Sequence, residues 1–297
     1  MRAILWGLIF ILALISPAVS RAQSYPGEVD IFMGVNVQYR DVFFNNRVID
    51  FLVNLSPGVR WNMGHRWEAA AQVYVPVINQ FGKDYGTVRL NNATLAKQFP
   101  IGNRWRFKIT GGQFSANRYG LDLKTMWIAN RWLALTAEAG LTGFCYFAFS
   151  DSWEASTPER FTFLIGPEIW LGRWDTQFII RGGRYTYGDY GVNVEAMRHF
   201  KHTTVGLFAA YSDIYKENAG FKVTVMLPPY KQKRKKVNFR PASNFYIDYS
   251  NKSSPYNMRT YQTDPEQNVR QGWFDPNMNP WGPNTMAPDF ERKEEKK

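Results

Sequence analysis

The chain has 297 residues, 45% of them hydrophobic and 16% aromatic, yet its mean hydropathy is only −0.38, so the apolar side chains are dispersed. No run beyond the N-terminus is long enough for a membrane-crossing helix. A single cysteine, Cys145, excludes an internal disulfide framework, and with only three histidines beside it there is little room for nucleophilic or zinc catalysis. The formal charge of +11 admits anionic partners such as lipopolysaccharide or acidic glycans.

In chain order the first element is an export signal over residues 1–22. Arg2 precedes an apolar run over 3–15, and the helix-breaking Ser16-Pro17 and small residues follow. Cleavage after Ser20 or after Ala22 satisfies the small-residue rule; Ala22 is favoured, and subtracting Arg2 and Arg21 leaves +9. Cys145 is far from either site, so a lipoprotein anchor is not expected, and export makes nucleic acid an unsuitable partner.

A turn then recurs: Gly64-His65-Arg66-Trp67, Gly102-Asn103-Arg104-Trp105, Ala129-Asn130-Arg131-Trp132 and Gly172-Arg173-Trp174. Each closes one run of alternating polarity and opens another. Longer polar connections around 41–47, 80–85, 114–118, 144–159, 186–190 and 213–219 alternate with these tight turns. Runs near 28–40, 48–62, 66–79, 86–98, 103–113, 118–128, 131–143, 160–171, 174–185, 190–199, 203–212 and 220–228 predict twelve strands. Tight turns followed by Trp at one end and longer loops at the other predict an all-β, antiparallel transmembrane barrel of the outer membrane over 23–229. Trp67, Trp105, Trp132 and Trp174 would form the interface belt, and both termini would lie in the periplasm. A soluble β-sandwich alternates in the same way, but it does not call for the turn asymmetry or the aromatic belt.

The alternation assigns faces. In the first run Val29, Ile31, Met33, Val35 and Val37 point outward, with Asp30, Asn36 and Gln38 inward. In the fifth, Trp105, Phe107 and Ile109 point outward against Arg104, Arg106 and Lys108. In the seventh, Leu133, Leu135 and Ala137 oppose Glu138 and Thr142. Glu68, Lys124, Glu168, Arg181 and Glu195 are also expected inward. Such a lumen is either filled by ion pairs or left open as a polar channel, with these charges contacting ions or glycan. His65, His199 and His202 fall at the short-turn rim and Cys145 in an external loop, so no Cys-His pair forms, and no cofactor or metal is expected. In the loop over 144–159, Tyr146, Phe147, Phe149 and Trp153 could stack on sugars, plug the lumen or extend the aromatic girdle.

From Pro228-Pro229 the composition changes. Lys231, Lys233, Arg234, Lys235 and Lys236 open a basic, then Pro/Asn-rich segment over 230–297, expected as a partly disordered periplasmic tail with a short strand over 244–249. The basic run is the expected contact for a periplasmic partner.

Two segments, Gly112-Gln113-Phe114-Ser115-Ala116-Asn117-Arg118-Tyr119-Gly120-Leu121 and Pro228-Pro229-Tyr230 with Val237-Asn238-Phe239-Arg240-Pro241-Ala242, resemble YjbH-type exopolysaccharide-biogenesis proteins. The resemblance implies an outer-membrane barrel associated with capsule or exopolysaccharide secretion. The chain is shorter than the longer members, so a second barrel or extra periplasmic domain is not implied. The expectation is therefore a non-enzymatic barrel assisting polysaccharide secretion, with lipid, lipopolysaccharide, polysaccharide and a periplasmic export or assembly protein as partners. The alternatives are a general porin and a tether that holds a periplasmic partner through its tail.

Overall fold

The computed structural model describes residues 27–41, 49–149, 153–200, 203–226, 236–250, 259–266, 272–274 and 278. The expected signal segment, His202, Lys231, Lys233, Arg234 and Lys235 lie outside the described residues.

What is described is dominated by strands: β1 (Glu28–Asp41), β2 (Ile49–Gly64), β3 (Trp67–Asn79), β4 (Arg89–Ile101), β5 (Trp105–Phe114), β6 (Arg118–Ile128), β7 (Leu133–Phe147), β8 (Trp153–Ala155), β9 (Arg160–Leu171), β10 (Thr176–Arg184), β11 (Tyr190–His199), β12 (Thr203–Ser212), β13 (Lys216–Met226), β14 (Val237–Pro241) and β15 (Asn244–Ser250). The twelve expected runs are β1–β7 and β9–β13. The larger shifts are the later start of β4, the earlier start of β13 and the extension of β7 to Phe147. That extension corrects the placement of Cys145. It is not in a loop; it is buried on β7, opposite Ala155 of the short strand β8.

From β1 to β13 each strand pairs antiparallel with its neighbour in the chain, except that β8 hangs from β7 and β9 takes its place beside β7. The period-two pattern dictates the faces. On β12, Thr204, Gly206, Phe208, Ala210 and Ser212 are buried while Val205, Leu207 and Tyr211 are exposed, Leu207 at 65%. Val35, Leu55, Val59, Leu95, Leu123, Leu135 and Ile165 continue this exposed apolar band across other strands. The buried polar set, including Asn36, Asn54, Gln72, Asn92, Lys108, Asp122, Lys124 and Glu168, lies on the opposite face. Trp61, Trp105, Trp132 and Trp174 are exposed at the end with the short turns, and Phe149, Trp153, Tyr190 and Tyr211 at the other.

Tight reversals need backbone in the left-handed region, because only that hand matches the strand twist. His65 and Arg66 adopt φ of 49° and 63° between β2 and β3, and Ala116 and Asn117 adopt 56° and 55° between β5 and β6. The second pair corrects an expectation: the connection expected over 114–118 is as tight as the short turns, and that expected over 213–219 shrinks to 213–215. The alternation of long and short connections therefore fails at two places.

Twelve strands also undercount the sheet, which continues past the boundary expected at 229. Val237–Pro241 pairs parallel with β1, from Val29↔Val237 to Met33↔Pro241. Asn244–Ser250 pairs antiparallel with β13, from Met226↔Asn244 to Gly220↔Ser250. The hydrogen-bonded path thus starts at β14 and stops at β15 without a ladder joining them, yet only Ala242 and Ser243 separate these strands in the chain. Tyr39 of β1 stacks on Tyr249 of β15 at 5.3 Å, so the two ends of the sheet meet.

In the β5–β6 hairpin Gly112 and Gly120 are cross-strand partners with φ of 138° and 148°, a region that L side chains avoid. A Cβ on Gly120 would also strike the carbonyl of Leu141, whereas one on Gly111 would meet only the tip of the Leu121 side chain. Gly120→Ala is expected to destabilise the fold by about 2 kcal/mol or more and Gly111→Ala by less than about 1 kcal/mol, read as urea unfolding midpoints in the same detergent.

Candidate functional site

The polar face of the sheet is covered by the C-terminal segment. Arg259 packs against the turn after β10: it pairs with Asp189 at 2.6 Å, lies over the Tyr185 ring at 3.8 Å, and its carbonyl accepts from Thr186 Oγ1 at 2.5 Å. Tyr261 stacks on Phe114 at 5.2 Å and donates to Asp122 Oδ2 at 3.0 Å. The Gln262 carbonyl accepts from the Ser115 amide at 3.0 Å and from Asn92 Nδ2 at 3.1 Å. Lys124 donates to Thr263 Oγ1 at 2.8 Å while facing Glu138 at 3.5 Å and Asp122 at 3.6 Å.

Nearer the short-turn end, Asp264 accepts from Arg60 Nη2 at 2.5 Å and faces Lys108 at 3.8 Å. Glu266 takes both Nη atoms of Arg240, at 2.6 and 2.7 Å, and lies 3.4 Å from Arg60 Nε. Lowest sit Trp273, Phe274 and Met278, packed with Met126, Ala134 and Trp170 in an apolar cluster. Arg181 lies over Trp273 at 4.1 Å, and Arg106 Nε donates to the Met278 carbonyl at 3.2 Å.

This geometry requires a curled sheet. Arg259 reaches the end of β10 and Glu266 reaches β14, nine strand steps apart along the hydrogen-bonded path. In a flat sheet that separation is roughly 43 Å at about 4.8 Å per strand. The seven Cα-to-Cα steps from Arg259 to Glu266 extend at most about 25 Å, and backbone amides at both ends, those of Thr186 and Ser243, touch these two residues directly. The sheet therefore wraps around the segment, and its polar face is an interior.

The charges expected inward are largely there, but in separate groups. Lys124 and Glu138 belong with Asp122. Glu168 pairs with Arg181 at 3.5 Å and accepts from Gln177, and Glu195 pairs with Lys222 at 3.1 Å. Glu68 faces Arg60 at 3.1 Å. Arg104 is a correction: it sits exposed in the turn before β5, because that strand begins only at Trp105. Lys236 is exposed, and its carbonyl accepts from the Val29 amide at 2.9 Å. Trp67 is half-buried beneath Lys97, whose ammonium lies 5.0 Å from the ring centre, while Trp105, Trp132 and Trp174 are exposed. His199 lies at the short-turn end, as its place in the sequence predicts. It is buried at the end of β11, bonded to Thr204 Oγ1 at 2.8 Å and Gln177 Oε1 at 2.9 Å, with Trp170 stacked on it.

Sequence reasoning missed Arg60, Asp122, Asp189, Arg240, Arg259, Tyr261, Asp264, Glu266 and Trp273. The acids Asp264 and Glu266, following a strongly basic stretch, were the one available signal, and nothing local says which wall residues they meet.

No protein-family description matches the chain, and no characterised protein matches it by sequence. Among solved structures, the outer membrane channel DcaP of Acinetobacter baumannii is similar over 75% of this chain and 91% of its own, at 8% identity and a TM-score of 0.37. So loose a likeness carries no argument about this chain.

Burial works against the charge on Asp264, but Arg60 and then Lys108 outweigh it and hold its pKa down at about 2. The folded value lies below the ordinary carboxylate value of about 3.9, so its contribution is complete above that pH and is lost as pH falls through about 2. Asp264→Asn, which leaves Arg60 and Lys108 less well matched, is expected to cost roughly 3 kcal/mol. Hydrogen–deuterium exchange over 259–266 should show faster exchange in the variant at pH 6, and a smaller difference between variant and parent at pH 3.

Proposed function

We propose that the chain is a non-enzymatic outer-membrane β-barrel whose interior is occupied by its own C-terminal segment, and that solute passes when this segment is displaced. The observation that carries the reading is the pairing of faces. An apolar outer band lies between two aromatic rims, and it surrounds an interior of buried charge. A continuous apolar surface of this kind is unfavourable in water and suits hydrocarbon, with the aromatic rings at the lipid headgroups.

The ends of the sheet support a closed barrel. Residues 237–250 run between β1 and β13 as one interrupted strand, so closure needs no further element. On this reading the short turns and both termini are periplasmic. The segment enters the interior from the long-loop end at Arg259 and reaches the short-turn end at Met278. A permanently open porin fits less well, because the segment already satisfies Lys124, Lys108, Arg60 and Arg106.

Planar bilayer recording tests the reading. The full chain should conduct rarely and briefly, and a chain ending after Ser250 should conduct steadily. Equal conductance of the two would overturn the plug, and failure of both to insert would overturn the barrel.

Polysaccharide secretion is the process we propose for this barrel, on the resemblance of 112–121 and 228–242 to exopolysaccharide-biogenesis proteins. The first of these segments forms the β5–β6 hairpin whose turn holds Gln262, so it is part of the wall that grips the plug. Deleting the chromosomal copy should reduce surface and released polysaccharide, and complementation should restore it; unchanged glycan in cells that express the protein would sink this assignment.

A further inference from the structure

The long-loop mouth of the interior carries arginines that the described residues of the plug do not neutralise. Arg118 on β6 donates to Thr142 Oγ1 at 2.9 Å, and Arg160 on β9 is the cross-strand partner of the same Thr142. The two therefore face inward on either side of Thr142, two strands apart, roughly 10 Å along the sheet. On the next strand Arg184 lines a small cavity together with Glu138, Tyr185 and the plug residues Arg259 and Tyr261.

The acids nearby are engaged elsewhere. Asp189 holds Arg259 at 2.6 Å, Glu138 and Asp122 hold Lys124, and Glu159 accepts from Thr157 Oγ1 at 2.5 Å. Among the described residues no ion pair reaches Arg118, Arg160 or Arg184. Arg118 is only 8% exposed, and its Nε, like that of Arg184, has no hydrogen-bond partner. Cationic groups gathered with no counter-charge among the described residues, and with buried donors unsatisfied, are an arrangement that an anion would stabilise.

The same mouth carries aromatic faces. Tyr187, partly exposed, lies 6.1 Å from Tyr215. Burial and then the Tyr215 hydroxyl push the Tyr187 phenol up, while Arg118 and Arg160 act in the opposite direction. Guanidinium groups match carboxylates through paired N–H donors, and tyrosine rings offer flat apolar faces to the C–H side of a pyranose.

We propose that this mouth binds an anionic saccharide, with Arg118 and Arg160 taking carboxylates of successive acidic sugars and Tyr187 with Tyr215 stacking against a ring. The proposal deepens the channel reading and rests on it for the route by which the ligand arrives, but binding is measured on the isolated protein. The full chain in detergent at low salt is titrated calorimetrically with trigalacturonate, maltotriose and inorganic phosphate. Trigalacturonate is expected to bind, maltotriose to give no measurable heat, and Arg118→Gln with Arg160→Gln to weaken binding about tenfold or more. Tyr187→Ala should weaken trigalacturonate more than phosphate.

Absent trigalacturonate binding, or binding unchanged in a double variant that keeps the parent's circular dichroism, overturns the site. Phosphate binding as tightly as trigalacturonate, with the same dependence on both arginines, overturns the saccharide and assigns the mouth to a phosphate or lipid headgroup. If the double variant does not fold, exposed Arg160→Gln alone decides, with unchanged affinity overturning the proposal. Binding without plug-dependent conductance sinks only the channel reading, and plug-dependent conductance without binding sinks only the site.

Discussion

Arg60 and Arg240, held together by Glu266, are the junction on which the architecture depends. Glu266 takes both Nη atoms of Arg240 and approaches Arg60, and Arg60 also holds Asp264 and Glu68. Arg240 in turn reaches Asp30 of β1 at 2.9 Å. One charge cluster therefore joins β1, β2, β3 and β14 to the segment inside the sheet. Its members are largely removed from water, so each charge is tolerable only while its partners stay in place. A carboxylate on the plug thus helps to hold the seam where the ends of the sheet meet.

That coupling gives the plug its character. Its upper part is held by polar contacts to Asp189, Asp122, Lys124 and Ser115, and its lower part by Trp273, Phe274 and Met278 against Met126, Ala134 and Trp170. Polar networks in a poorly solvated interior are favourable as a whole and costly when half broken. On the channel reading proposed above, a segment held in this way is either seated or withdrawn, with little between. Withdrawal would leave Arg60, Lys108 and Lys124 facing an aqueous lumen, where hydration replaces what the segment supplied.

The mouth follows the opposite logic. Along the wall below it, opposite charges meet: Lys124 with Glu138, Arg181 with Glu168, Lys222 with Glu195. At Arg118, Arg160 and Arg184 no opposite charge is met among the described residues. Matched charge within the curled sheet serves packing, and the arginines without a described counter-charge lie at its long-loop end.

The strands, their faces and the aromatic rim were legible in the sequence, because period-two alternation and turn chemistry are local. Leu207 points outward and Lys124 inward for reasons contained in a few neighbouring residues. The tight turn at Ala116 and Asn117 was less legible, since neither residue is a glycine and its left-handed backbone shows only in the folded hairpin. The strand Asn244–Ser250 was legible as an apolar alternation, but not its partner β13, nor the parallel pairing of Val237–Pro241 with β1. The plug was not legible at all. A single segment with no repeat carries no periodicity, and its place rests on pairs as distant in the chain as Arg60 with Asp264 and Lys124 with Thr263. The sequence by itself determined a two-faced sheet; only the tertiary structure decided what fills its interior, because that depends on charges meeting across the curled sheet, which no local pattern encodes.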